Sequence, residues 1–265
     1  MKKTILYSAT AIAALALAGC SSSQAQPNQS TTEEQSNSSA EVITFGTEGT
    51  YAPFTFHDTE SGELIGYDVE VAQAVAAKLG AEAQFHEVKW DGIFAGLESG
   101  RYDVVANQVA ITPEREEIYS FSAPYAVSNP VLIVPADDTS ITSVDSVKGK
   151  KSAQSVTSNW AELARNAGAE VVPVDGFTEA VAALRDGRVD VTFNDNLAVL
   201  EYFATTGDDS VKVGAEVPED KSRQGFAFLK DSELAPKFTQ ALEELKADGT
   251  LAKIGEKYFG TDISE

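Results

Sequence analysis

A single phrase occurs twice in this chain, 87 positions apart. Leu97-Glu98-Ser99-Gly100-Arg101-Tyr102-Asp103-Val104 and Leu184-Arg185-Asp186-Gly187-Arg188-Val189-Asp190-Val191 share the pattern L-x-x-G-R-x-D-V. Asp91-Gly92 precedes the first copy and Asp175-Gly176 the second, and Asn107 and Asn194 each follow the shared aspartate by four residues. Each copy reads as a helix end, a glycine stop, a tight turn and a buried strand, 103–106 in one and 190–193 in the other. A solenoid needs several copies, so one echo predicts two similar α/β lobes. Chance recurrence of a common helix–glycine–strand turn is the plain alternative.

The chain from Val42 onward fits that frame, with short β-branched runs alternating with amphipathic stretches. Val42-Ile43-Thr44-Phe45 reads as the first strand. Tyr67, Val71, Val75 and Leu79 fall at i, i+4 spacing before Gly80, which predicts a helix over 67–79 with one buried stripe. Open α/β sheets take ligands at the carboxyl ends of their strands. Those ends are Asn107-Gln108 and Asn194-Asp195, and two lobes that face each other there make a cleft.

Charge narrows the partners. Lys+Arg is 20 against Asp+Glu 41, a formal net of -21, which gives no long-range attraction for nucleic acid or anionic lipid headgroups. An anionic ligand therefore needs a local cationic pocket. The only methionine is Met1 and the only cysteine Cys20, so the body lacks sulfur ligands for soft metals or haem, and no metal or cofactor is expected. The two histidines, His57 and His86, read as a solvent-facing loop residue and a strand-surface residue. No nucleophile elbow, H-E-x-x-H or phosphate-binding glycine loop is present, so the chain is expected not to be an enzyme.

The N-terminus carries an address. Lys2 and Lys3 precede an apolar run over 9–18 that is too short to span a bilayer as a stable helix. Leu17-Ala18-Gly19-Cys20 resembles the lipobox of bacterial lipoproteins, cleaved before a cysteine whose thiol carries diacylglycerol. A plain signal peptide with a coincidental cysteine is the alternative. As the only cysteine, Cys20 cannot form an internal disulfide. Residues 21–40 are rich in Ser, Gln, Asn and Thr with no hydrophobic face, a flexible tether with a reach of about 25 Å.

Three polar segments carry candidate chemistry. Thr112-Pro113-Glu114-Arg115 is a helix start, where free N–H groups and the planar fork of Arg115 suit a carboxylate. A surface arginine paired with Glu114 or Glu116 is the alternative. Thr157-Ser158-Asn159 opens a helix around 161–167 with more hydroxyls and amides than capping requires. Asp195, at the end of the second repeat strand, suits an ammonium group or serves as a cap acid. A cation and an acid across an aromatic-walled cleft suit a zwitterion, an amino acid.

Over nearly all of residues 42–262 the chain resembles the polar amino-acid substrate-binding proteins of bacterial ABC importers. The matching segments are Gly46-Thr47-Glu48-Gly49-Thr50-Tyr51-Ala52-Pro53-Phe54, Gly66-Tyr67-Asp68-Val69-Glu70, Trp90-Asp91-Gly92 and Ile111-Thr112-Pro113-Glu114-Arg115. Phe121-Ser122-Ala123-Pro124-Tyr125, Ala247-Asp248-Gly249-Thr250 and Tyr258-Phe259-Gly260 complete the series. The resemblance implies an α/β, two-lobed periplasmic-binding-protein-like fold, each lobe a mixed sheet flanked by helices, joined by a two-strand hinge. It divides the chain into a signal peptide (1–19), a lipidated Cys20 with its tether (20–40), lobe 1 (41–127 and 222–265) and lobe 2 (128–221, hinge strands at its ends).

The same resemblance implies that Arg115 grips an α-carboxylate with the backbone at Ala110 and Thr112, and that Thr157 and Ser158 reach it from lobe 2. Asp195 and the backbone near Ala110 would take the α-ammonium. Tyr51 and Trp90 would line the side-chain slot, with Glu48, Asn107, Gln108 and Asn159 as polar fittings and Gln154 among the ligand contacts. Three positions depart from the family pattern: Val156 stands where glycine is frequent, Glu48 where aspartate is frequent, and Ala110 where serine is frequent. The wording of 152–160 and of 104–109 is most like the cystine-binding branch, with arginine or another polar amino acid as the rival ligand. A dehydratase on the same scaffold is the reading from another class. The partners implied are the ligand, ABC permease subunits and, through the lipid alone, the outer face of the cytoplasmic membrane, with the protein itself a monomer.

Overall fold

The computed structural model describes residues 41–217 and 221–264. The expectations for the signal peptide, Cys20 and the tether lie outside the described residues. In chain order the first part comprises β1 (Glu41–Thr47), β2 (Thr50–Tyr51), β3 (Thr55–His57), β4 (Leu64–Ile65), α1 (Tyr67–Lys78), β5 (Ala81–Glu87), α2 (Trp90–Glu98), β6 (Val104–Val105), α3 (Pro113–Ile118), β7 (Tyr119–Phe121) and β8 (Ala126–Ser128). The second comprises β9 (Pro130–Pro135), β10 (Lys151–Gln154), α4 (Asn159–Asn166), β11 (Glu170–Pro173), α5 (Phe177–Arg185), β12 (Thr192–Asp195), α6 (Asn196–Thr206) and β13 (Val211–Glu216). The chain then returns through β14 (Ser222–Gln224), β15 (Ala227–Leu229), α7 (Leu234–Ala247) and α8 (Thr250–Phe259).

The first lobe is a five-stranded mixed sheet in the order β5-β1-β6-β15-β7. Strand β1 runs parallel to both β5 and β6, and β15 is antiparallel to its neighbours. In the second lobe β10 pairs parallel with β11, and β9 lies between antiparallel β12 and β13. A parallel bridge from Ser152 to Val191 joins the two groups. Strands β8 and β14 pair antiparallel and are the two connecting strands. Separate apolar cores sit in the two lobes. One holds Phe45, Val71, Val75, Phe226 and Phe238, and the other Val131, Ile133, Val181, Leu184 and Val189.

The echo is the same piece of geometry twice. Gly100 (φ 69°) and Gly187 (φ 65°) both sit in the left-handed region that favours glycine. Arg101 N–H donates to Gly96 O and Arg188 N–H to Ala183 O, each at 2.9 Å, which closes the helix end. Asp103 N–H donates to Thr44 O while its Oδ2 accepts from Thr44 N at 2.9 Å. In the same way Asp190 N–H donates to Lys151 O and its Oδ2 accepts from Lys151 N at 2.7 Å. The shared aspartate thus clamps the turn to the strand alongside it. The strands differ from expectation in extent: β6 covers only Val104–Val105, and β12 begins two residues late and runs through Asp195. The reason is pairing. β12 follows the antiparallel ladder of β9 to Pro130, whereas β15 meets β6 at a single pair.

Helix α1 ends as its spacing predicts, with Leu79 as cap and Gly80 at φ 74°. Tyr102 replaces Val189 of the echo and lies fully buried, its hydroxyl donating to Ile93 O. A Cβ at Gly46 or Gly96 would come within 2.3 or 2.2 Å of it. Those glycines are therefore required by packing.

Candidate functional site

A cavity of about 470 Å³ lies between the lobes, within the roughly 300–1,000 Å³ range of small-molecule sites. The first lobe lines it with Glu48, Thr50 and Tyr51 after β1, Lys89 and Trp90 at the start of α2, and Asn107 and Gln108 after β6. The second contributes Gln154 and Ser155 after β10, Ser158 and Trp160 at the start of α4, Asp175 and the first turn of α5, and Thr192 and Asn194 of β12. Of the residues expected from sequence, Glu48, Tyr51, Trp90, Asn107, Gln108, Gln154 and Ser158 line the cavity. Ala110, Thr112, Arg115, Thr157, Asn159 and Asp195 do not.

Around Glu48 the first lobe forms a closed polar circuit. Asn107 Oδ1 accepts from Glu48 N at 2.8 Å and from the Thr47 hydroxyl at 3.2 Å, and its Nδ2 donates to Glu48 Oε2 at 2.7 Å. Asn107 is thereby committed to holding Glu48. The carboxylate also takes the Trp90 backbone N–H, yet burial dominates and raises its pKa. Glu48 forms no ion pair with a described residue, so this carboxylate lacks a counter-charge.

Arg115 shows the opposite imbalance. Thr112 caps the short helix α3 by accepting from Arg115 N at 3.3 Å. The guanidinium lies over the rings of Trp90 and Phe94, 5.3 and 5.5 Å from their centroids, and donates one N–H to Ala110 O at 2.9 Å. Burial pushes its pKa down to about 10, and it forms no ion pair with a described residue. Glu162 and Glu114 favour its charge from a distance, without forming a salt bridge. Trp90 thus meets the Glu48 carboxylate through its backbone N–H and the Arg115 guanidinium through its ring, while its indole N–H is buried without a partner.

In the second lobe the polar groups are largely occupied. Ser158 caps α4 by accepting from Ala161 N at 3.0 Å, and Gln154 Nε2 donates to Ser152 and Thr192 hydroxyls, each at 3.2 Å. Asp195 is 2% exposed. It caps α6 by accepting from Leu197 N at 2.9 Å and takes the Ser128 hydroxyl. Burial raises its pKa to about 6. Asn194, one residue earlier, is the one that lines the cavity.

Among the described residues three residue pairs meet across the cleft. Tyr51 Oη donates to Asn194 Oδ1 at 2.7 Å, Thr157 Oγ1 donates to Asp91 Oδ1 at 2.8 Å, and Lys89 pairs with Asp175. The two lobes are closed on each other. Sequence reasoning passed over Phe177, Asp175, Glu179, Trp160 and Lys89. Phe177 was within reach of the echo, since α2 begins at Trp90 and α5 begins 87 residues later at Phe177.

His57 lies in β3, its ring bonded to Gly62 O and Glu87, and His86 lies in β5. Among the described residues no helix is long and apolar enough to cross a membrane.

Residues 43–261 match the model of bacterial extracellular solute-binding proteins, family 3. The chain belongs to that family. Among its relatives is the L-cystine-binding protein TcyA of Bacillus subtilis (strain 168), 45% identical over 270 residues and aligned along 100% of both chains. The solved L-cystine solute receptor of Neisseria gonorrhoeae, in its unliganded open conformation, is 48% identical, with 86% of this chain and 96% of that one covered and a TM-score of 0.57. An ancestral arginine-binding protein bound to arginine is 39% identical, with 83% and 98% covered and a TM-score of 0.76. Members of this family are extracytoplasmic binding proteins, and the resemblance stated from sequence is to this family and its cystine-binding members.

Proposed function

We propose that this chain captures a free amino acid, L-cystine, in the interlobe cavity and delivers it to an ABC permease. One observation carries the reading: Trp90 touches two half-buried charges that have no salt-bridge partner among the described residues, Glu48 through its backbone N–H and Arg115 through its ring. Buried charges are stable when paired, and a zwitterionic head supplies both partners at once. Arg115 takes the α-carboxylate, supported by backbone at Ala110 and Thr112. Glu48 meets the α-ammonium first, and Asp195 adds its charge from behind Asn194. Ser158 faces the ligand from the second lobe while Thr157 ties that lobe to Asp91, and Tyr51, Trp90 and Gln154 bound the side-chain slot. The choice of L-cystine rests on the likeness to TcyA and to the gonococcal receptor.

Closure runs about β8 and β14, with lobe 1 as 41–127 and 222–265 and lobe 2 as 128–221. The greater likeness to a ligand-bound structure than to an open one of higher identity supports a closing motion. Cys20 carries the lipid, residues 21–40 are the tether, and the protein works as a monomer on the outer face of the cytoplasmic membrane. Arginine is the second reading, favoured by the acids Asp175 and Glu179 in the cavity wall.

Ligand released from gently purified protein and identified by mass spectrometry separates the two. The chain purified without residues 1–20 should gain about 2.7 kcal/mol at 100 times Kd of its ligand. Arg115→Ala should weaken binding about 100-fold by calorimetry, the cost of removing one partner of a buried charge pair. Unchanged affinity would refute the carboxylate assignment.

A further inference from the structure

Asp68 takes no part in the proposed ligand contacts, yet it is fully buried in the first turn of α1. Its carboxylate holds Gln108 with both oxygens, and the Tyr125 hydroxyl also lies against it. Oδ2 accepts from Gln108 N at 2.5 Å and Oδ1 accepts from Gln108 Nε2 at 2.7 Å. Gln108 has φ 49°, in the left-handed region that a glutamine seldom occupies. Its own Oε1 is buried and accepts no hydrogen bond, although Gln108 lines the cavity. A buried acceptor left unmet is costly, so a donor is owed at this spot. An ionised carboxylate can only accept. It therefore draws the amide NH2 toward α1 and turns the amide carbonyl away from it.

We propose that Asp68 is a positioning residue for ligand recognition: by gripping both N–H groups of Gln108 it presents Gln108 Oε1 as an acceptor for the ligand's ammonium. This rests on the amino-acid reading of the cavity. It has a further consequence. A proton on Asp68 Oδ1 turns that oxygen into a donor, so the amide rotates to accept from it and shows its NH2 to the cavity, where it repels an ammonium. Burial raises the pKa of Asp68 to about 7, against the hydrogen bonds from Gln108. The groups around it are Tyr67 on its own helix, the Tyr125 hydroxyl ahead of β8, and Asp195 across the cleft; Tyr51 lies within reach of all three acids, Glu48 included. None is a cation, so only the hydrogen bonds from Gln108 and Tyr125 favour the ionised carboxylate.

Calorimetric titration of L-cystine, with L-arginine in parallel, from about pH 5.5 to 8.5 tests this. Wild-type affinity should fall about tenfold as the pH drops through about 7. Gln108→Met keeps the shape and the Asp68 carboxylate but has no amide; it should bind about tenfold more weakly at high pH and lose that step. Asp68→Asn should lose the step as well, and the double variant should be no weaker than Gln108→Met alone, since the two residues act as one. Additive losses, or a step that persists in Gln108→Met, would overturn the proposal. Should Asp68→Asn fail to fold, the Gln108→Met profile decides alone. A wild type that binds neither amino acid refutes the ligand assignment and this proposal together. A wild type that binds with a flat profile refutes this proposal only.

Discussion

The two copies of the echo share a backbone and differ in how they spend their polar groups. After β6, Asn107 and Gln108 are held within their own lobe, by Glu48 and Thr47 and by Asp68. At the end of β12, the equivalent Asn194 and Asp195 look elsewhere. Asn194 accepts from Tyr51 of the opposite lobe, and Asp195 caps α6 and takes a hydroxyl from the connecting strand β8. The same holds for the helices that open each copy: Trp90 and Phe177 occupy the same first position on opposite walls, but only Trp90 has charges on both sides. A repeated frame therefore yields one corner that is organised before a ligand arrives and one that completes itself on closure. Preorganised groups lose little on binding and carry the affinity. Groups that engage across the cleft set how long the ligand stays.

Three measurements test that contrast. The largest effect is expected for Glu48→Gln, which should weaken L-cystine binding about thirtyfold by removing a buried counter-charge. The matching change in the other lobe, Asn194→Ala, should cost only about threefold and act mainly through faster dissociation in stopped-flow fluorescence. Equal losses in both variants would erase the distinction between the corners.

The next effect concerns pH and stability of the ligand-free protein. Asp68 and Asp195 titrate at about 7 and about 6 in the fold, against an ordinary 3.8, because burial disfavours their charged forms. Folded protein thus keeps protons that the unfolded chain has already released. Their contribution is fully present below the unfolded pKa and is lost as pH rises through 6 and then 7. Asp195→Asn should flatten the lower part of that decline in denaturant melts and leave the upper part, which belongs to Asp68. An identical slope in the variant would show that Asp195 is ionised throughout.

The smallest effect is expected for Lys89→Met. The Lys89–Asp175 pair crosses the cleft but its side chains are 75% and 47% exposed, and exposed pairs contribute less than about 1 kcal/mol. Affinity should fall less than about twofold, and the difference from wild type should vanish at high salt. A larger, salt-independent loss would make Lys89 a direct ligand contact.

The frame of the molecule was legible because its signals are local. Gly100 and Gly187 mark backbone turns, Leu97 and Leu184 end apolar stripes, and the i, i+4 spacing from Tyr67 to Leu79 locates α1 almost to the residue. The site was legible in part. Glu48, Trp90 and Gln108 could be named from motifs, but Asp68 could not be told from an ordinary first-turn acid, since its partner lies 40 residues away. Phe177 followed from the echo only once the helix starts were aligned. Asp175 is marked by the echo only as part of an Asp-Gly pair, and Lys89 carries no local signature.

Sequence alone determined the two-lobed plan, the family and the identity of the buried cation, because periodicity, glycine turns and a capped Thr-Pro-x-Arg start act over a few residues of chain. Tertiary structure decided which of those polar groups are already satisfied and which are left wanting a partner. That is a property of neighbours brought together from distant segments: Asn107 is consumed by Glu48, Asp195 by Ser128 and Leu197, while Arg115 over the Trp90 ring and Glu48 at the Trp90 backbone form no salt bridge with a described residue.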